Sequence, residues 1–189
     1  MVRGRHVVAS VLLLAAFGTA RAGWFEIALD HDTVQASGGA HFGSDPAGRF
    51  ALGGRALWDD GDDGRLGALL FGFETEPESV VGLRLGVGGE VIAGRCDEHD
   101  LAATALGVTA AYAPVALHGV YLGGRIYYAP SVLAWRAAEG FLDASARVGF
   151  RATPKIEVYA EYQVVRSDVE GSGSQDLSES VLFGFGGRF

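Results

Sequence analysis

The last nine residues, 181–189, alternate between apolar side chains and small or polar ones. On an extended strand, one face would carry the aromatic row Phe183, Phe185 and Phe189, and the other would carry mainly glycine and Arg188. Such a row is typical of the closing strand of an outer-membrane β-barrel, whereas on a soluble sheet it would promote edge-to-edge aggregation. We therefore expect Phe185 and Phe189 to anchor this strand at the membrane interface and to form part of its assembly signal.

The same alternation recurs along the chain in segments separated by turns. Four prolines, Pro46, Pro77, Pro114 and Pro154, lie in short turns, and each interval leaves room for two strands of about ten residues and one longer loop. Because proline cannot donate to a strand ladder, these turns mark one rim of a barrel. The pattern predicts an all-β fold, a single antiparallel transmembrane β-barrel of ten strands, with an eight-stranded barrel and an irregular N-terminus as the alternative. The predicted strands span residues 24–31, 34–42, 48–58, 65–73, 80–92, 101–112, 119–128, 141–152, 156–166 and 180–189.

The N-terminus has the features of an export signal. Arg3 and Arg5 precede a short apolar run at residues 7–18, and residues 20–22 (Ala-Arg-Ala) match an A-x-A cleavage site. The apolar run is shorter than the roughly 20 residues that a membrane-spanning helix needs. We predict a cleaved secretory signal peptide at 1–22 and an outer-membrane β-barrel at 23–189. Both termini, and with them the proline turns, are expected on the periplasmic side of the bacterial outer membrane.

The hairpin around Pro154 predicts a strand register. A three-residue turn sets Arg147 against Glu161 and Arg151 against Glu157 on the lumen face, with Gly149 beside Tyr159 and apolar residues on the lipid face. A slip by one residue would place four charges in lipid, where each arginine costs about 2 to 4 kcal/mol at the midplane.

Charged residues on the polar faces of the predicted strands are the main candidates for a functional site. They could pack and neutralise the lumen, or form a selectivity constriction. A barrel of about eight strands is filled by its own side chains, whereas open channels need about sixteen. We therefore expect a narrow or plugged lumen and a structural or undefined role, with a small-solute porin as the alternative. The candidate residues are Arg84, Glu90, Arg125, Arg147, Arg151, Glu157 and Glu161.

The net charge limits the expected partners of the protein, and the cysteine content limits its disulfides. The formal net charge is −8, which makes nucleic acid an unexpected partner. The single cysteine, Cys96, cannot form an internal disulfide. The expected partners are outer-membrane lipid and lipopolysaccharide, and the outer-membrane barrel assembly machinery through the C-terminal strand.

Acidic residues gather in the predicted outer loops, which we expect to be flexible and solvated. Asp59, Asp60, Asp62 and Asp63 form the densest group, and others lie near His99 and near residues 171–173. Closely spaced carboxylates suit Ca²⁺ or Mg²⁺, but the group lacks the EF-hand pattern. A solvated turn is the favoured interpretation, weak cation binding is the alternative, and no metal site or cofactor is predicted.

The sequence gives little support for catalysis. It contains neither a His-Glu-x-x-His nor a Gly-x-Ser-x-Gly pattern. His99, flanked by Asp97, Glu98 and Asp100, is the candidate on which an outer-leaflet enzyme acting on lipid or peptide would depend. Loop polarity explains His99 without chemistry, so we expect no enzymatic activity.

Several short segments, by their order along the chain, carry a resemblance to a known family. They are residues 58–64, 87–89, 127–131 and 157–162, together with the terminus that ends on phenylalanine. In this order they resemble the YfaZ family of small Gram-negative outer-membrane proteins. The resemblance runs from about residue 49 to residue 189 and implies a small outer-membrane barrel without an established biochemical activity. It supplies neither catalytic residues nor a cofactor.

Overall fold

Strands make up most of the chain in the computed structural model, which describes residues 22–43, 48–61, 64–96, 99–169 and 173–189. Residues 1–21, with most of the predicted signal peptide, lie outside that part. None of the helices among the described residues is long and apolar enough to span a membrane. Within the same ranges, the elements are two single 3-10 turns (Val115–Leu117 and Ser131–Leu133) and the strands β1 (Gly23–Leu29), β2 (Thr33–Phe42), β3 (Arg49–Asp59), β4 (Gly64–Thr75), β5 (Leu83–Cys96), β6 (His99–Tyr112), β7 (Val120–Ala129), β8 (Ala134–Arg136), β9 (Ala138–Arg151), β10 (Ile156–Val169) and β11 (Gly173–Arg188).

Ten of the described strands close into one antiparallel barrel. The order around it is β1 to β7 followed by β9, β10 and β11, and β11 pairs with β1. The closing ladder sets Trp24 opposite Arg188 and Ile27 opposite Phe185. At its end, the backbone N–H groups of Gly23 and Phe189 each donate to the other residue's carbonyl, with N···O distances of 2.7 and 3.0 Å. The predicted ten-stranded barrel is therefore confirmed, and the eight-stranded alternative is wrong.

The two ends of the barrel carry different features. Gly23 and Phe189 lie at one end, here called the termini end, together with the turns that hold Pro77, Pro114 and Pro154. The fourth predicted proline turn lies outside the described residues. The opposite end, here called the loop end, carries the connections from β1 to β2 and from β8 to β9.

Every one of the ten barrel strands exposes apolar side chains on its outward face. Successive side chains of a strand point to opposite faces, so the alternation in the sequence places one apolar row outward on each strand. Across the β1–β11 junction, the rings of Phe25 and Phe185 meet edge to face with centroids 6.2 Å apart. The result is an apolar band around the barrel, represented on successive barrel strands by Phe25, Val34, Phe50, Leu69, Val87, Val108, Leu122, Val148, Val158 and Phe183.

The short strand β8 continues β7 rather than adding a strand to the barrel. β7 pairs with β6 as far as Tyr128, and the chain then leaves the sheet through the Ser131–Leu133 turn. It returns to β6 where Trp135 pairs with Ala102. Arg136, with a φ of 65°, then turns the chain toward β9.

Several strands extend further toward the loop end than the sequence predicted. β9 begins at Ala138 rather than at residue 141, and β11 begins at Gly173 rather than at 180. Asp168, Asp176 and Glu179, expected in a flexible loop, therefore lie on β10 and β11. On β10 and β11, the side chains exposed beyond the apolar band include Arg166, Asp176 and Glu179, so the alternation typical of a membrane strand is lost there although the ladder continues.

Glycine allows close packing between β6 and β7. A methyl group at Gly107 would overlap the carbonyl oxygen of Ile126 and would lie 2.5 Å from Cδ1 of Tyr127. A methyl group at Gly123 on β7 would meet its nearest atom, the Ala110 carbonyl oxygen, at an ordinary 3.6 Å. Gly107 is thus required by the approach of the neighbouring strand, whereas Gly123 borders open space.

We predict that Gly107→Ala lowers the free energy of unfolding by about 1 to 3 kcal/mol, since the inserted methyl group forces the backbone of β7 away. Gly123→Ala, the matched control, should change it by less than about 0.5 kcal/mol. Urea unfolding of both variants, refolded in detergent or vesicles, measures the difference. Equal effects would contradict the close packing at Gly107.

Candidate functional site in the barrel lumen

The inward-facing side chains divide the lumen into three zones along its axis. The zone nearest the loop end is apolar, and we call its largest side chains, given below, the apolar plug. The middle of the strands carries the ion cluster, whose buried charges belong to five strands. Toward the termini end, the lumen widens into a cavity of about 360 Å³. The apolar plug comprises Leu57, Leu66, Ile92, Leu101, Phe141 and Leu177, and the ion cluster comprises Arg55, Glu90, Arg125, Asp143 and Glu161.

The apolar plug follows from strand register and one irregularity. Leu57 and Leu66 are cross-strand partners on β3 and β4. On β11, the register shifts opposite Val165 and Arg166, so that Leu177 is the additional residue. Leu177 is 1% exposed and packs with the other plug residues. Together, these side chains pack into one apolar cluster in the zone of the lumen nearest the loop end, as formed by the described residues.

The ion cluster alternates positive and negative groups across the barrel. Arg55 forms ion pairs with Asp143 and, at 3.0 Å, with Glu90. Arg125 pairs with Asp143 at 3.5 Å and with Glu161 at 3.2 Å. Arg55, Glu90 and Asp143 are each 3% exposed or less, so every charge depends on its neighbours for the solvation that water would provide.

Arg147 connects the ion cluster to the first strand. Its Nη1 and Nη2 donate to the two carboxylate oxygens of Glu26 on β1, both at 2.9 Å, and its Nε donates to Glu161 at 2.7 Å. The guanidinium carbon also lies 3.8 Å from the centre of the Tyr159 ring. Arg147 on β9 therefore links β1 and β10 through hydrogen bonds to Glu26 and Glu161.

The mouth of the cavity at the termini end is lined by a second set of ion pairs. Arg49 pairs with Glu74 at 2.9 Å. Arg84 pairs with Glu76 in the β4–β5 turn at 2.8 Å, and this hydrogen bond lowers the pKa of the Glu76 carboxyl. His41 lies 3.7 Å from Glu74.

The Glu157 carboxylate also lies at the mouth and accepts hydrogen bonds from two side chains. Arg188 donates to it at 2.7 Å and the Tyr121 hydroxyl donates at 3.0 Å. Arg151 approaches the same carboxylate only to 3.9 Å, and its guanidinium carbon lies 5.3 Å from the centre of the Tyr121 ring. Arg151 is thus the more weakly held of the two arginines beside Glu157.

The predicted register of the β9–β10 hairpin is confirmed. Arg147 lies opposite Glu161, and Arg151 lies opposite Glu157. The expected contact of Tyr159 with Gly149 is confirmed as a cross-strand pair, but the ring over Gly149 belongs to Tyr121. The strand register thus predicts that the backbones of Tyr159 and Gly149 are neighbours, but it does not predict that the Tyr121 ring covers Gly149.

The structure distributes the seven predicted lumen residues over two zones. Glu90, Arg125 and Glu161 lie in the ion cluster, and Arg147 adjoins it. Arg84 lies at the mouth and pairs with a turn residue, not with the central charges. Arg151 and Glu157 also lie at the mouth.

Sequence reasoning missed Glu26, Arg55 and Asp143. Asp143 lies four residues before Arg147, on the same face of β9, so strand periodicity would have found it. Arg55 likewise shares the inward face of β3 with Leu57. These three residues are flanked in the sequence mainly by glycine and apolar residues, and no charged residue lies opposite them on a neighbouring strand.

Two loop-end candidates differ from their sequence-based interpretations. Asp59 ends β3, is buried, and accepts hydrogen bonds from the Thr33 hydroxyl at 2.8 Å and the Gly61 N–H at 3.0 Å, so the expectation of a solvated turn is wrong for it. Asp100 beside His99 pairs with Arg95 at 2.8 Å and Arg136 at 3.4 Å. Asp62, Asp63, Asp97 and Glu98 lie outside the described residues, within which no group of three or more His, Cys, Asp or Glu could hold a metal ion.

We predict different coupling energies for the two cross-strand pairs of the β9–β10 hairpin. A double-mutant cycle with Arg147→Gln and Glu161→Gln should give about 1 to 3 kcal/mol, because both groups are largely buried and directly hydrogen bonded. The cycle with Arg151→Gln and Glu157→Gln should give less than about 0.5 kcal/mol, because these groups lie beyond hydrogen-bond distance. Urea unfolding of the refolded barrel measures both, and a larger value for the second pair would contradict this geometry.

Comparison with known proteins agrees with the fold and the resemblance described above. The YfaZ family, described as YfaZ precursor, matches residues 4–189. The match includes the first hairpin, which the resemblance over residues 49–189 left out. A comparison with curated proteins gives no match. Because the family match covers nearly the whole chain, the protein belongs to the YfaZ family.

Proposed function

We propose that this protein is an outer-membrane β-barrel with a closed lumen and a structural rather than a conducting role. The apolar band on all ten barrel strands supports membrane insertion, because water-soluble proteins rarely expose large contiguous apolar surfaces. The family description as a precursor agrees with removal of an export signal.

The proposal of a closed lumen rests on the packing of side chains in the loop-end half of the barrel. There the apolar plug and the ion cluster fill the interior with buried side chains. Apolar constrictions block ions because water leaves them, and the charges of the ion cluster are occupied with one another. A small-solute porin would need both zones to rearrange.

The polar surface at the loop end supports a proposed orientation in the membrane. There, outside the apolar band, exposed Arg95, Asp100 and Arg136 form ion pairs with one another, a composition suited to a headgroup region. We propose that the loop end faces the cell surface, with lipopolysaccharide as its neighbour, and that both termini are periplasmic. The closing strand β11 would engage the barrel assembly machinery from that side.

We propose no enzymatic role. A catalytic histidine is commonly oriented by a carboxylate that accepts a hydrogen bond from its ring. The carboxylate of Asp100 is instead held by two arginines on the outside of the barrel.

We predict that the wild-type barrel gives no single-channel current steps in planar bilayers. The triple variant Leu57→Ala, Leu101→Ala and Phe141→Ala should conduct, because water that enters the emptied plug also hydrates the adjoining ion cluster and weakens its ion pairs. The three substitutions each cost about 2 to 5 kcal/mol, so gel mobility must first show that the variant is folded.

The matched control for this experiment is Leu69→Ala, Val87→Ala and Val148→Ala. It removes the same kind of side chain from the apolar band and should stay silent. Regular current steps from the wild-type protein would support the porin alternative and would contradict a closed lumen.

We predict that Phe189→Ser leaves the protein exported but not assembled in cells. The closing hydrogen bonds use only backbone groups of residues 23 and 189, so the purified variant should still refold in detergent. Heat-modifiable gel mobility of membrane fractions and of refolded protein measures the two steps. The control Phe42→Ser removes an exposed phenylalanine from the end of β2, which also lies at the termini end, and this variant should assemble normally. Normal assembly of the Phe189→Ser protein would contradict a role of Phe189 in the assembly signal.

A further inference from the structure

Arg151 stands out among the charges of the cavity because its hydrogen-bond donors are unused. Among the described residues, its guanidinium donates no side-chain hydrogen bond, and its Nε is buried without an acceptor. The carboxylate that lies nearest, Glu157, already accepts from Arg188 and from the Tyr121 hydroxyl. A guanidinium in a partly dry site without an acceptor is costly, and an anion would relieve that cost.

The balance of charge makes the mouth of the cavity positive. Among the described residues, four arginines at the mouth face three carboxylates: Arg49, Arg84, Arg151 and Arg188 against Glu74, Glu76 and Glu157. The deeper zone has the opposite excess, with three arginines and four carboxylates: Arg55, Arg125 and Arg147 against Glu26, Glu90, Asp143 and Glu161. Arg84 and Arg188 also repel Arg151 electrostatically. Among these described side chains, one positive charge therefore remains at the mouth of a barrel whose chain is acidic as a whole.

The shape of the cavity suits a small molecule. Its volume of about 360 Å³ falls at the lower end of the range for ligand sites. Trp24 and Tyr121 supply aromatic wall, and Gly123 leaves part of the wall without a side chain. The inner end is closed by the ion cluster, so a molecule that enters at the termini end has no onward path through the lumen that the described residues form.

We propose that this cavity binds a small soluble anion through its carboxylate or phosphate group, with Arg151 as the primary donor. The guanidinium fork of Arg151 matches two oxygens of such a group, and Arg188 and Arg84 add favourable charge. The remainder of the molecule lies against Trp24 and Tyr121. Because the cavity opens at the termini end, the anion comes from the compartment that both termini face.

Trp24 provides a direct readout of binding. Replacing Trp58 and Trp135 by Phe leaves Trp24 as the remaining tryptophan of the chain. Sodium phosphate and sodium acetate are titrated against sodium chloride at constant ionic strength, with the full barrel in a phosphate-free maltoside detergent. We expect saturable changes in Trp24 fluorescence with phosphate or acetate, with a Kd on the order of 1 mM, and no matching change with chloride.

Variants with opposite expected signs test the role of charge. Arg151→Gln should weaken binding about tenfold or more, the loss of a charge-assisted hydrogen bond. Glu157→Gln should strengthen it about threefold or more, the effect of removing a negative charge about 6 Å away in bulk water. Arg95→Gln, the control at the loop end, should have no effect.

A second variant tests the cavity without changing charge. Gly123→Leu should abolish binding by filling the space, and its Cβ meets no close contact, so the barrel should still fold. Unchanged affinity in Gly123→Leu or in folded Arg151→Gln would overturn the proposal, as would weaker binding in Glu157→Gln or a wild-type response to phosphate and acetate that equals the chloride response.

Repeating the titration in bilayers separates a soluble anion from a lipid headgroup. The affinity for phosphate should be the same in phosphatidylcholine nanodiscs and in nanodiscs that contain phosphatidylglycerol. A loss of phosphate binding only with the anionic lipid would assign the site to a lipid headgroup and would contradict a soluble ligand.

Discussion

The pairing of the first strand with the last is the constraint on which the rest of the structure depends. A sheet of ten strands left open would present two rows of unpaired backbone N–H and C=O groups, a severe cost in an apolar surrounding. The β1–β11 ladder removes both edges and continues to the mutual hydrogen bonds of Gly23 and Phe189. Once the barrel is closed, the outward face has to be apolar, and the inward face has to fill a space of fixed circumference.

That circumference explains the mixed interior. Ten strands enclose more space than apolar side chains on neighbouring strands fill alone, yet too little for a water-filled channel of porin size. At the loop end, leucine, isoleucine and phenylalanine suffice, helped by the bulge that adds Leu177. In the middle, long arginine side chains reach across the lumen to carboxylates on non-adjacent strands, as Arg55 does to Asp143. Toward the termini end, inward-facing glycines such as Gly123 leave the cavity open.

Sequence alternation predicted the faces of the strands well but not the relations across the barrel. The β9–β10 register could be predicted because Arg147 and Glu161 are neighbours through a short turn. Asp143 and Arg55 lie on strands separated around the barrel, and no local pattern indicates which inward-facing residues meet. The strand ends near Asp168 and Asp176 were missed for a different reason, because the ladder there continues beyond the apolar band that marks a membrane strand.

The charged interior also makes closure and register depend on each other. Glu26 and Arg147 are 121 positions apart in the chain and meet only when β1 has joined β11. In an open sheet, Arg147 could pair only with Glu161 on the neighbouring strand, whereas in the closed barrel it donates hydrogen bonds to both Glu161 and Glu26. A one-residue slip of β1 would turn Glu26 outward into the apolar band and leave Arg147 short of an acceptor, two costs that act together. The buried charges therefore select one closed register among the several that backbone hydrogen bonding alone would allow. This is a second reason, besides the width of the lumen, for a barrel of this size to keep ions in its core.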